Sequence, residues 1–273
     1  MFRQMVAVEI VAYRRDAHVK CFLDSSSVGT RNKSFRGAVS SFSDRSRGRL
    51  LFTAFNASVD WVGFAVLTYP GEFSNDGRKV KRDIHTLCKR IRREFGASYL
   101  WGIEFQTRGA PHVNFLFDKF IPKDILSRWW FEIVGSGDEK HLSAGTRIEF
   151  CKSSEQAAGY MAAAYSAKKS VQKTVPEDFK NVGRFWGATR GLVVAKSQDI
   201  FLVDDALPFV RTLRKFAESG IKSRKLQPMR DEKKRKRKVK RKSTYFLHSG
   251  LQGFKVFKGA GIASRIIEGA SSG

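Results

Sequence analysis

The stretch Trp101–Phe117, WGIEFQTRGAPHVNFLF, holds two apolar runs joined by a Thr-Arg-Gly-Ala-Pro turn. Its pattern predicts a hairpin that pairs Trp101–Gln106 with His112–Phe117. Side chains alternate along a strand, so His112 and Asn114 share a face, and the pairing sets Glu104 near them on the neighbouring strand. A carboxylate, an imidazole and an amide oxygen suit Mg²⁺ or Mn²⁺ better than zinc, which takes more thiolate or imidazole. Such a cation polarises a phosphoryl oxygen. An ordinary hairpin also carries a histidine as a satisfied polar group, and the hairpin taken alone fits either reading.

The flanking segments supply a frame for it. WVGFAVLTYPG reads as a buried strand stopped by Pro70 and Gly71. KRDIHTLCKRIRREFG sets Ile84, Leu87, Cys88, Ile91 and Phe95 at steps of three and four, which predicts an amphipathic helix ended by Gly96. FIPKDILSRWWFEIVG is a helix with Pro122 in its first turn, TRIEFCK a short strand, and SSEQAAGYMAAAYSAKKSVQ an Ala-rich helix capped by Ser153. Upstream, SDRSRGRLLFTAF starts a helix capped by Ser43, and MFRQMVAVEIVAYRRD opens with a strand. This order predicts an α+β fold with a mainly antiparallel central sheet and flanking helices. Strand order does not follow from it. The expected division is 1–50 as a strand and basic lead-in, 51–220 as the main domain, and 221–273 as a basic linker and tail.

The chain of 273 residues has 51 Lys and Arg against 26 Asp and Glu, a net charge of +25. That excess points to a polyanion, with nucleic acid ahead of a membrane surface. No apolar run is long enough to span a bilayer, and the N-terminus makes a poor signal peptide. Cys21, Cys88 and Cys151 are scattered without a C-x-x-C, so neither a disulfide framework nor a zinc knuckle is indicated, and a reducing cytoplasm fits. Basic residues that could meet DNA are Lys89, Arg90 and Arg93 on the amphipathic helix, Arg108 in the turn, and Lys234, Arg235, Lys236 and Arg237 within the run Arg230–Lys242. A solvated helix face and a solubilising tail explain the same charges.

The Ala-rich helix carries Tyr160, Tyr165 and Lys168. A tyrosine hydroxyl can attack a phosphodiester when a cation or base favours its phenolate. At about 100° per residue Tyr165 and Lys168 lie one turn apart on one side, whereas Tyr160 points roughly 140° away from Tyr165.

Taken in order, FAVLTYP, EFQTRGAPHVN and YSAK resemble the three motifs of rolling-circle replication initiators of the HUH endonuclease superfamily, in particular the filamentous-phage type. VGRFWG and SFSDRSRGRLL are further family-like strings, and the likeness covers roughly residues 35–190. It implies the HUH palm, similar to that of RNA-recognition domains. It further implies a divalent cation held by Glu104, His112 and Asn114, and attack by Tyr165 on DNA to leave a 5′-phosphotyrosine and a free 3′-OH. Lys168 would orient the phosphate or offset its charge, and Tyr160 would be an alternative or second nucleophile. Thr68 and Tyr69 would touch DNA near the nick, while Arg184, Phe185 and Trp186 would stack on bases or seal the core. Asn114 departs from the family, which usually has a second histidine there. The implied partners are single-stranded and origin DNA with a host helicase and polymerase, in the cytoplasm of a bacterial host. The alternative is a noncatalytic basic single-strand-binding protein with a degraded metal site.

Overall fold

The computed structural model describes residues 5–23, 42–165, 175–176, 179, 183–225 and 253–271. In chain order the elements begin β1 (Met5–Ala12), β2 (Ala17–Leu23), α1 (Asp44–Asn56), β3 (Gly63–Thr68), α2 (Gly77–Phe95), β4 (Tyr99–Phe105), β5 (Pro111–Phe117) and α3 (Lys123–Val134). They continue α4 (Glu139–Ala144), β6 (Thr146–Phe150), α5 (Ser154–Tyr165), β7 (Trp186–Ala188), β8 (Ser197–Leu202), α6 (Val203–Lys225), β9 (Phe254–Val256) and α7 (Ala260–Ser271). The fold is α+β, with two antiparallel sheets ordered β8-β1-β2-β9 and β6-β3-β5-β4-β7.

The chain divides into two compact units, Met1–Asn32 with Val194–Gly273, and Lys33–Val193. These edges differ from the expected ones at 50/51 and 220/221. The reason is strand pairing: β1 pairs with β8 and β2 with β9, so N- and C-terminal segments complete one sheet. In this unit Val8, Ile10, Val19, Leu213 and Ile267 form the core between the sheet and α6 and α7. The run Arg230–Lys242 lies outside the described residues.

The Lys33–Val193 unit is a sheet covered on both faces. On one face Leu67, Ile103, Val113 and Phe115 pack with Val80, Ile84, Leu87 and Ile91 of α2 and with Leu126 and Trp130 of α3. On the other, Phe64, Leu100 and Leu116 pack with Leu50 and Ala54 of α1 and with Ala157, Ala158 and Met161 of α5. Both sets come from the same strands because β-strand side chains alternate.

Local signals act where the sequence puts them. Ser43 Oγ caps α1 by accepting from Ser46 N at 3.3 Å, and Ser153 Oγ accepts from Gln156 N at 3.1 Å at the start of α5. Gly96 ends α2 in the left-handed region at φ 60°. Pro122 stands as the N-cap of α3, one position before its first turn. The hairpin turn closes through Gln106 N to Ala110 O at 2.9 Å and Gly109 N to Gln106 O at 2.8 Å, with Gly109 at φ 81°, where a side chain would be strained.

Candidate active site

The register of β4 on β5 makes Glu104 and His112 Cα partners and Gly102 and Asn114 the next pair on the same face. Thr68 of β3 pairs with His112 from the other side. This face lies under α5. There the helix buries Ala157, Ala158, Met161 and Tyr165, a three- and four-residue spacing that aims Tyr165 at the sheet.

The polar groups converge closely. Asn114 Nδ2 donates to Glu104 Oε2 at 3.2 Å and to Tyr165 Oη at 3.1 Å. Glu104 Oε2 lies 4.0 Å from His112 Nδ1. The Tyr165 ring rests over Gly102: a Cβ built there would lie 2.4 Å from Oη and 2.6 Å from Cζ. The neighbours of Gly102 on this face, Leu100 and Glu104, both carry side chains, so the opening is one residue wide.

Burial sets the protonation states. His112 is pushed below the usual imidazole range by desolvation and stands neutral at pH 7, the form that ligates a metal. Burial first, and then the Glu104 charge, raise the Tyr165 phenol well above its usual range, while the Asn114 hydrogen bond opposes them. Tyr165 is 3% exposed, and its ring meets that of Phe42 edge-on at 5.6 Å. A cavity of about 20 Å³, room for roughly one water, opens beside it among Phe42, Arg47, Glu104, Tyr165 and Phe185.

The residues fit a hard divalent cation in part. Among the described residues no group of three or more His, Cys, Asp and Glu side chains converges. Glu104 and His112, 4.0 Å apart, lie within the span that two donors to one cation cover when each bond is about 2.1 Å. Mg²⁺ commonly takes few protein ligands and completes its shell with water and phosphate. Asn114 does not act as the expected third ligand in this arrangement. A carboxylate only accepts, so the amide nitrogen must face Glu104, and the oxygen is turned away from the pair.

Other expected residues fall elsewhere. Tyr160 is 37% exposed on the far side of α5, with its ring 5.5 Å from that of Phe64, so the helical offset separates it from the site. Lys168, Lys234, Arg235, Lys236 and Arg237 lie outside the described residues. Thr68 borders the site, and its Oγ1 donates to Gly145 O at 3.2 Å. Its carbonyl accepts from Trp130 Nε1 at 2.6 Å and from His141 Nε2 at 2.8 Å. Tyr69, one residue on, is buried in the opposite core. Its Oη donates to Asp83 Oδ2 at 3.0 Å and its ring packs edge-on to Trp130, so it is a core anchor and not a DNA contact.

Arg108 is likewise committed within the protein. Its guanidinium donates to Tyr69 O at 2.7 Å, Pro70 O at 2.8 Å, Gly71 O at 3.1 Å and Gln106 Oε1 at 2.8 Å, which clamps the loop after β3. Lys89, Arg90 and Arg93 ride on α2, across the sheet from the site. Arg90 pairs with Glu132 and Arg93 with Glu94, both at 2.7 Å. Of the VGRFWG string, Phe185 is buried and stacks on Phe42 at 5.5 Å, while Trp186 Nε1 donates to Ser46 Oγ at 3.0 Å, which is the core-sealing reading. The Arg184 carbonyl accepts from Lys81, whose ammonium also lies 4.1 Å over the Trp101 ring and is lowered to about 8 by burial.

Two residues of the site have no counterpart among the expected ones. Gly102 reads in sequence as a weak point in a strand, and only the partner register shows what fills its place. Arg47 projects from α1 beside the cavity and donates to Phe42 O at 2.7 Å and to the Asp44 carboxylate. The arginine-rich face of α1 was its sequence signal.

An antiparallel sheet that carries a Glu-His pair beneath a helix-borne tyrosine defines the class to which this unit belongs by fold and site. Residues 62–170 match the family model of the ORF2-type Replication-associated protein, and this segment is of that family, the filamentous-phage replication-initiator type. It contains Glu104, His112, Asn114 and Tyr165. No curated protein and no solved structure matches the chain.

Proposed function

We propose that the Lys33–Val193 unit nicks single-stranded or origin DNA through Tyr165, leaving a 5′-phosphotyrosine and a free 3′-OH that primes rolling-circle replication. The observation that carries this reading is the convergence of Tyr165, Asn114, Glu104 and His112, from one helix and two strands, on a single point. The phenol oxygen attacks phosphorus, the bond from phosphorus to the 3′ oxygen breaks, and that oxygen takes up a proton as the phenol loses its own.

Glu104 and His112 would hold Mg²⁺ or Mn²⁺, which when bound polarises the phosphoryl oxygen and offsets the carboxylate charge that makes the phenol hard to ionise. Arg47 lines the same cavity and adds positive charge where the phosphate enters. Lys168 keeps its proposed role of orienting the phosphate. Thr68 stands where the strand could enter. The exposed cations of α2 and the run containing Lys234–Arg237 add sequence-independent affinity. The sequence has no phosphate-binding G-x-x-x-x-G-K-[ST] loop, so unwinding is assigned to a host helicase and extension to a host polymerase in the bacterial cytoplasm. Among the described residues, no helix is long and apolar enough to cross a membrane.

One observation favours a second reading, a noncatalytic single-strand binder: Tyr165 is buried and its phenol strongly protonated. Incubation with labelled single-stranded DNA of its own replicon, in Mn²⁺, Mg²⁺ or EDTA, separates the two. The nickase gives a denaturation-resistant adduct on Tyr165 that requires metal. Tight, salt-sensitive binding without an adduct supports the binder.

A further inference from the structure

We infer that Asn114 is a positioning residue that seats the Tyr165 phenol together with Gly102, and that it does not supply a metal oxygen. The inference rests on the reading of Tyr165 as nucleophile. Asn114 is 2% exposed, so its amide must find partners inside the protein. An amide nitrogen carries two N–H groups, and two acceptors are present, Glu104 Oε2 at 3.2 Å and Tyr165 Oη at 3.1 Å. Both donors are therefore used. With the phenol oxygen accepting from Asn114, its own O–H and remaining lone pair are directed elsewhere.

Gly102 completes the seat. It is the Cα partner of Asn114 across β4 and β5, and the ring occupies the space where its side chain would stand. The ring is thus located by a missing Cβ on one strand, and its oxygen by a hydrogen bond from the next. The sheet fixes both at a set spacing, so the oxygen is held beside Glu104 and His112 without Asn114 ligating anything. This assigns a role to the residue at which the chain departs from the two-histidine pattern: a side chain that donates N–H stands where a second metal-binding imidazole is usual.

Asn114→Asp separates donor from ligand, because aspartate keeps oxygens for a metal and loses the N–H. With the full-length chain we would measure Mn²⁺ affinity from the free-ion electron paramagnetic resonance signal, nitration of Tyr165 by tetranitromethane read by peptide mass spectrometry, and adduct formation at saturating Mn²⁺. We expect Asn114→Ala to bind Mn²⁺ within about twofold of the parent while His112→Ala loses about tenfold or more. Nitration of Tyr165, slow in the parent, rises in Asn114→Ala. Asn114→Asp binds Mn²⁺ at least as tightly as the parent yet forms the adduct about tenfold or more slowly. A loss of Mn²⁺ affinity in Asn114→Ala equal to that in His112→Ala, Tyr165 still protected in Asn114→Ala, or parental adduct formation by Asn114→Asp would each overturn the inference. An absent adduct in the parent would defeat the nicking reading alone, since the Mn²⁺ and nitration arms still decide what Asn114 does.

Discussion

Replacing Gly102 with alanine tests whether the seat of Tyr165 is as tight as its geometry indicates. The new Cβ would lie 2.4 Å from Oη, 2.6 Å from Cζ and 3.1 Å from Cε2, so the closest contact falls about 1 Å short of ordinary contact at 3.4 Å. Neither strand can yield easily, because β4 is hydrogen-bonded to β5 on one side and to β7 on the other. The ring must withdraw, and it loses the Asn114 hydrogen bond as it does so. Overpacking of this kind costs about 1–3 kcal/mol, which in a unit of this size lowers Tm by roughly 3–10 °C. For a nucleophile, a displacement of about 1 Å costs on the order of 100-fold in rate. The measurements are thermal unfolding and the initial rate of adduct formation on single-stranded DNA. A double-mutant cycle isolates the clash: Gly102→Ala should cost far less when Tyr165 is already alanine, because nothing then occupies the space. Parental Tm and rate in Gly102→Ala, or equal costs with and without the Tyr165 ring, would refute the seat.

Tyr165→Phe should abolish the adduct while costing about 1 kcal/mol of stability for the lost hydrogen bond, and Tyr160→Phe should retain the adduct; mapping by mass spectrometry distinguishes them. Nicking should rise with pH across the neutral and mildly alkaline range, because the phenol is held above its usual value and the reactive fraction grows about tenfold per unit below it; a flat profile measured at saturating metal argues against rate-limiting phenol ionisation. His18 is lowered to about 4, mainly by burial and then by Lys255, so its contribution to the stability of the terminal unit is complete above pH 6.5 and is lost as pH falls toward 4. Acid unfolding of His18→Gln compared with the parent checks this, and the variant should show a shallower decline in that window. Arg108→Ala should cost about 1–3 kcal/mol by freeing the loop after β3, yet leave the salt dependence of DNA binding unchanged, since its guanidinium is committed to carbonyls; a decrease in the salt slope would return it to the DNA interface.

Much of the site was legible because its parts are close in sequence. The hairpin joins Glu104 to His112 across a short turn, and strand alternation alone puts His112 and Asn114 on one side. The helical period likewise separates Tyr160 from Tyr165 without any tertiary information. The same alternation explains why Tyr69 falls in the opposite core although it sits next to Thr68, and the carbonyls that hold Arg108 belong to that same loop.

By itself the sequence determined the α+β class, the hairpin with its Glu-His pair, the amphipathic face of α2 and the caps of α1 and α5, because turn chemistry and side-chain periodicity act over a few residues. Tertiary structure alone decided the strand order, the joining of both termini in one sheet, and the meeting of Tyr165 with Asn114 above Gly102. Those contacts bridge residues far apart in the chain, where packing of side chains against one another, and not local conformational preference, selects the neighbour.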